Sequence, residues 1–139
     1  MILLDTSVLS LAYRRRRRNA PESRRVTVLR RLIIDDVPLA IPGIVLQEIL
    51  SGIRAQPQFD KLKRMLESFP VVVAAERHHV IAAQIANACR RKGIAASTVD
   101  CLIAALATSQ RDILFTLDED FNRIATVCDL KLLSIEQVS

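Results

Sequence analysis

The chain of 139 residues has the length of one domain, and with half its residues hydrophobic but only 4% aromatic its core is expected to be Leu, Ile, Val and Ala. No uncharged apolar run approaches the roughly 20 residues that cross a bilayer, and Asp5 interrupts the first apolar run before it becomes a signal sequence, so a cytoplasmic protein with no membrane span is expected. The net charge of +5 is uneven: up to Arg31 there are nine Arg against Asp5 and Glu22, a net of +7, so the basic N-terminal region calls for a polyanionic partner.

Met1-Ile2-Leu3-Leu4 is a continuous apolar run, the pattern of a strand buried on both faces. Asp5-Thr6-Ser7 ends it and can cap a helix over Val8 to Tyr13. Arg14, Arg15, Arg16, Arg17 and Arg18 extend that helix or form an exposed loop; five adjacent Arg are solvated either way. Helical spacing returns over Glu22 to Asp35, and Val37 to Ile41 is a second strand closed by Pro42-Gly43. In the next helix, Ile44 to Ile53, Glu48 lies just beyond one edge of an apolar stripe, and Gly52 beside it would let another segment approach closely. An amphipathic helix over Gln58 to Ser68, a strand Val71 to Val73 and a long helix Glu76 to Lys92 ended by Gly93 follow. Ser97 opens a helix in which Val99, Leu102, Ile103 and Leu106 form one stripe, with Asp100 in its first turn. Ile113 to Phe115 is a buried strand, Phe121 to Val127 a short helix, and Lys131 to Ile135 a last strand. Cys89, Cys101 and Cys128 are odd in number and lack a C-x-x-C pair, so reduced core thiols are expected. His78 and His79 have no Cys partners, so a surface or packing role outweighs a zinc site.

Strands alternating with helices imply an α/β fold: a central parallel sheet with helices on both faces, one domain over residues 1–139. Ligands of such sheets bind at the carboxyl ends of the strands, where strand order switches. Asp5 and Asp118 fall at strand carboxyl ends, and Glu48 and Asp100 sit early in helices that start from the same edge. Each acid but Glu48 has a plainer explanation: Asp5 as an N-cap, Ser97-x-x-Asp100 and Thr116-x-x-Glu119 as capping boxes, and Asp118 as a cap of the last helix. Glu48 is mid-helix, where no cap explains it. Four converging carboxylates repel one another and need a cation, and an all-oxygen set favours Mg²⁺ or Mn²⁺ over zinc.

These stretches together resemble a known family. Asp5-Thr6-Ser7 after MILL, Glu48 in IVLQEILSG, VDCLIAALA around Asp100 and FTLDEDFNRIA around Asp118 look like a PIN domain, most closely the VapC-type toxins of bacterial toxin–antitoxin pairs. The resemblance runs along the whole chain, in order and at family-like length. It implies a Mg²⁺-dependent ribonuclease, restrained by a small VapB-type antitoxin and commonly a homodimer. It also implies that Asp5, Glu48, Asp100 and Asp118 are the metal-site acids, with Thr6 and Thr116 as supporting hydroxyls and Asp120 as an extra ligand where the family's last motif varies. The run Arg14 to Arg18 is denser than the family pattern requires.

Such a site is expected to hydrolyse RNA phosphodiesters with metal-activated water, through one ion or two. No His, Cys or Ser–base pair joins the constellation, which argues against covalent catalysis. The Arg run offsets the acidic pocket by holding phosphates in a salt-dependent, sequence-independent way, or is a solvated face that contacts the antitoxin. Two other classes compete. A receiver-like phosphoacceptor would want paired acids after the first strand and a Lys after the last, which the chain lacks. A non-catalytic PIN-like module that binds RNA or a partner is the alternative reading.

Overall fold

In the computed structural model, which describes residues 1–13 and 24–135, the first strand is the middle of the sheet. Ile2–Leu4 (β1) is buried at every position, as a strand flanked on both edges and covered on both faces must be. It pairs in parallel with Leu39–Pro42 (β2) on one side and Ile113–Phe115 (β4) on the other. Val71–Val72 (β3) extends the sheet beyond β2, and Lys131–Leu132 (β5) extends it beyond β4. The order is β3-β2-β1-β4-β5, and every pair is parallel, as the alternation of strands and helices implied.

The helices connect these strands. Thr6–Tyr13 (α1) and Arg24–Ile34 (α2) lie between β1 and β2; Gly43–Leu50 (α3) and Gln56–Leu66 (α4) lie between β2 and β3. Glu76–Arg91 (α5) and Thr98–Gln110 (α6) carry the chain back to β4, and Asp120–Ile124 (α7) leads to β5. The first two crossovers step one way along the sheet and the last two step the other way. Right-handed crossovers therefore place the two groups of helices on opposite faces. The contacts agree, with α1 against α2 and α3, and α6 against α5 and α7.

Several local readings are corrected. α1 begins at Thr6, directly after Asp5, and β2 continues through Pro42 so that Gly43 already belongs to α3. α6 is not a one-stripe helix: Cys101 and every residue from Ile103 to Ala107 are buried, because it is enclosed by the sheet, α5 and α7. Small Ala residues on three of those positions let its neighbours approach. Gly52 is not a point of close approach, since a Cβ there would meet nothing within 4 Å. Its backbone is left-handed, φ +86°, and that conformation after α3 is what requires glycine. Arg14, Arg15, Arg16, Arg17 and Arg18 lie outside the described residues.

Leu3, Leu4, Ile103, Leu106, Leu114 and Phe115 fill the core between sheet and helices. Each fully buried aliphatic side chain of this size contributes about 1.5–3 kcal/mol relative to an exposed one. Cys89 and Cys101 are buried free thiols and Cys128 is half-buried and free, as expected. His78 is buried at the start of α5, where its Nδ1 accepts the Ala75 backbone N–H at 2.8 Å and takes the place of a helix cap. Burial, the Arg77 guanidinium and His79 hold its pKa below the ordinary histidine value.

Candidate metal centre

Strand order changes direction between β1 and β4, and the candidate site is built at the carboxyl ends of those two strands. Their register sets Leu4 opposite Phe115, so the next residues, Asp5 and Thr116, emerge side by side. The Asp5 backbone N–H donates to the Phe115 carbonyl at 3.0 Å. The Thr116 hydroxyl donates to Asp5 Oδ2 at 2.7 Å, and the Ser7 hydroxyl donates to the same oxygen at 2.9 Å. Each hydroxyl spends its proton on Asp5 and its lone pair on the following loop: Ser7 accepts from Leu117 N–H at 2.9 Å, Thr116 from Asp118 N–H at 3.0 Å. Asp5 is 6% exposed, so this pair of hydroxyls is what makes the burial of its carboxylate tolerable. Its partners among the described residues are hydroxyls rather than the N–H groups of α1, so side-chain capping does not explain it.

Asp100 enters from the second face. Ser97, the residue before α6, accepts the Asp100 backbone N–H at 3.0 Å, an N-cap that contributes about 1 kcal/mol. Asp118 follows β4, and its Oδ1 accepts the Asp120 backbone N–H at 2.9 Å. That bond shapes the turn into α7 and brings Asp120 in beside Asp118; the residue at the helix cap is Glu119, with no side-chain cap hydrogen bond, so Asp118 is not the cap expected of it. One carboxylate oxygen from each of Asp100, Asp118 and Asp120 lies within 4.8 Å of the other two.

The electrostatics reflect that convergence. Burial pushes the Asp100 carboxyl up to about 6; the nearby Asp118, Asp5 and Asp120 add in the same direction, and the Ser97 hydroxyl opposes them. Half-buried carboxylates gathered this closely, one of them with its pKa raised, are a donor set short of positive charge. Oxygen-only donors suit a hard divalent cation, so the residues present fit an ion of the Mg²⁺ or Mn²⁺ class.

Glu48 stands apart from this trio. It is exposed on α3, and its Oε1 accepts the Thr6 hydroxyl at 3.0 Å, which ties it to the residue next to Asp5. Thr6 and Thr116 thus each donate a hydroxyl hydrogen bond to an acid, one to Glu48 and one to Asp5. Two participants escaped the sequence reading. Ser7 is as central as Thr116, and its signal was a second hydroxyl two residues after the strand-ending acid. Arg123, one turn into α7, donates from Nη2 to Asp120 Oδ1; its i,i+3 spacing from Asp120 was the available clue.

Residues 2–127 match the family profile described as PIN domain. Among solved structures, the chain is similar to FitAcB from Neisseria gonorrhoeae, with 24% identity, a TM-score of 0.75, and 98% of this chain and 99% of that one covered. It is similar to VapBC2 from Rickettsia felis, bound in its crystal to a DNA fragment from the promoter, with 23% identity, a TM-score of 0.76, and coverage of 96% and 98%. It is also similar to VapBC-1 from nontypeable Haemophilus influenzae, with 21% identity, a TM-score of 0.76, and coverage of 98% and 99%. At these identities the solved structures speak for the fold, and the profile match along most of the chain speaks for descent. With the profile matched over nearly its whole length, the chain belongs to the PIN domain family.

Proposed function

We propose that the chain is a cytoplasmic, Mg²⁺- or Mn²⁺-dependent endoribonuclease, the toxin of a type II toxin–antitoxin pair, working as a homodimer and restrained by a VapB-type antitoxin. The observation that carries the reading is the closure of Asp100, Asp118 and Asp120 within 4.8 Å at the sheet edge where Asp5 is also fixed. Kinship of fold with the VapBC proteins and with FitAcB supports the antitoxin partner.

Asp5, Glu48, Asp100 and Asp118 are the residues proposed to hold one or two ions, with Asp120 as an additional ligand. When bound, such an ion lowers the pKa of a coordinated water and neutralises charge developing on a phosphoryl group. The protein's own share is positioning. Ser7 and Thr116 hold one oxygen of Asp5 and leave Oδ1 without a hydrogen bond among the described residues. Thr6 restrains the rotamer of Glu48. One of the carboxylates orients the attacking water and accepts its proton, so products with a 5′-phosphate and a 3′-hydroxyl are expected. Arg14 to Arg18 are proposed to grip phosphates along the substrate.

The test is cleavage of a mixed-sequence single-stranded RNA in Mg²⁺, in excess chelator and after Mg²⁺ is restored. Cleavage that stops with chelator and leaves 5′-phosphate ends is the expected result. Cleavage undiminished by chelator would remove the metal, and 2′,3′-cyclic phosphate ends would remove attack by water. RNA bound but never cut would favour a non-catalytic binding module.

A further inference from the structure

An acidic site has to accept a phosphate that it repels, and among the described residues one cation is paired with one of its acids. Among the described residues, Arg123 is the single basic side chain that pairs with any of Asp5, Glu48, Asp100, Asp118 or Asp120. We propose that Arg123 binds a substrate phosphate at the rim of the acidic site, and that Asp120 is the positioning residue that aims its guanidinium. The proposal rests on the nuclease reading for the identity of the substrate, but its central claim is a binding contact.

Three features support it. First, the guanidinium is anchored to the cluster itself. Asp118 Oδ1 holds the Asp120 backbone N–H at 2.9 Å, and Asp120 Oδ1 in turn takes Arg123 Nη2 one helical turn later. Second, that contact uses one edge of a planar group with five N–H donors and leaves the others available. A planar fork is the geometry that matches two phosphate oxygens at once. Third, the Arg123 side chain is 58% exposed and that of Asp120 44% exposed, so the pair faces solvent rather than being sealed in the core. An exposed pair at i,i+3 contributes only about 0.3–0.5 kcal/mol to folding, so a stabilising role is a weak explanation for it. A carboxylate beside an arginine costs little and restricts where the guanidinium points.

The competing role is a plug, in which Arg123 merely occupies Asp120 and keeps a cation out. The two roles separate cleanly. Binding of a short fluorescein-labelled single-stranded RNA of mixed sequence would be followed by anisotropy in Ca²⁺ for wild type, Arg123→Ala, Arg123→Lys and Arg64→Ala. Arg64 lies in the last turn of α4, ahead of the amino end of β3 and so at the opposite edge of the sheet, and its removal changes net charge equally. The shift in melting temperature on adding Mg²⁺ without RNA would be measured in parallel. Arg123→Ala should weaken RNA binding about tenfold or more, as expected for a lost charge-assisted contact. Arg123→Lys should recover only part of it, Arg64→Ala should change it less than about twofold, and the Mg²⁺ shift in Arg123→Ala should be no smaller than in wild type.

The proposal is overturned if Arg123→Ala binds RNA like wild type, if Arg64→Ala loses as much, or if Lys restores binding in full. A larger Mg²⁺ shift in Arg123→Ala with unaltered RNA affinity would establish the plug instead. Wild type that binds RNA through Arg123 but never cleaves it in Mg²⁺ would sink the nuclease reading and leave this contact standing. Cleavage by wild type with normal binding by Arg123→Ala would do the reverse.

Discussion

The hydroxyl of Thr116 donates to Asp5 Oδ2 at 2.7 Å although 111 residues of chain separate them. Parallel pairing of β1 with β4 brings them together, because the register that sets Leu4 against Phe115 places the two following residues side by side. Thr116 also accepts from the Asp118 backbone, so one hydroxyl links the first acid of the chain to the loop that carries two others.

Replacing that hydroxyl should therefore be costly. Thr116→Val keeps the shape but removes the donor to a buried carboxylate and the acceptor for Asp118 N–H, and a loss of about 1–3 kcal/mol in unfolding free energy is expected. Thr116→Ser keeps both bonds and should lose much less. Urea denaturation of the metal-free variants reads the difference, and equal stability of Val and wild type would remove Thr116 as a link.

Asp5→Asn should separate stability from function. An amide oxygen can still accept from Ser7 and Thr116, while one negative charge near Asp100 is lost. Metal-free protein should then melt at the same or a higher temperature than wild type. Added Mg²⁺ should stabilise the variant less, and cleavage should fall by orders of magnitude, roughly 10²-fold or more, as the loss of a ligand implies. A variant that cuts RNA normally and keeps the full Mg²⁺ shift would remove Asp5 from the site.

The raised pKa of Asp100 predicts opposite pH trends with and without metal. Its folded value of about 6 exceeds its ordinary value of 3.8, so the folded state holds this proton between roughly those limits. The contribution to metal-free stability is thus fully present below the lower value and is lost as pH rises through about 6. A divalent ion must displace the same proton, so the Mg²⁺-induced shift in melting temperature should shrink as pH falls through that range. Asp100→Asn should flatten both trends, and an unchanged pH profile in that variant would assign them to another group.

Two turns test the backbone without touching the site. Gly52 has φ +86° with open space around it, so Gly52→Ala should cost about 1 kcal/mol through conformation alone. Arg111 ends α6 with φ 55°, an αL position at which glycine is preferred, and Arg111→Gly should gain roughly 0.5–1 kcal/mol. Melting of the two single variants gives the signs directly; stabilisation by Gly52→Ala would refute the conformational account.

How much of this was legible in the chain follows from the range of each interaction. The α/β class and the parallel sheet were readable because continuous apolar runs and helical spacing are local patterns, and each reports burial on its own segment. Asp5, Glu48, Asp100 and Asp118 were readable as candidates because the carboxyl ends of parallel strands share one edge. Element bounds were less so: Pro42 sits in β2 because its missing N–H costs nothing at a strand's last residue, and α6 is buried almost all round because three neighbours enclose it. Neither fact is written in the segment itself. The partners of each acid belong to tertiary structure altogether. Ser7 and Thr116 meet on Asp5, Thr6 reaches Glu48, and Asp120 rather than Asp5 or Glu48 completes the tight trio with Asp100 and Asp118. Hydrogen bonds and carboxylate repulsion act over a few ångströms, and only strand register and crossover handedness decide which side chains, distant in sequence, come that close.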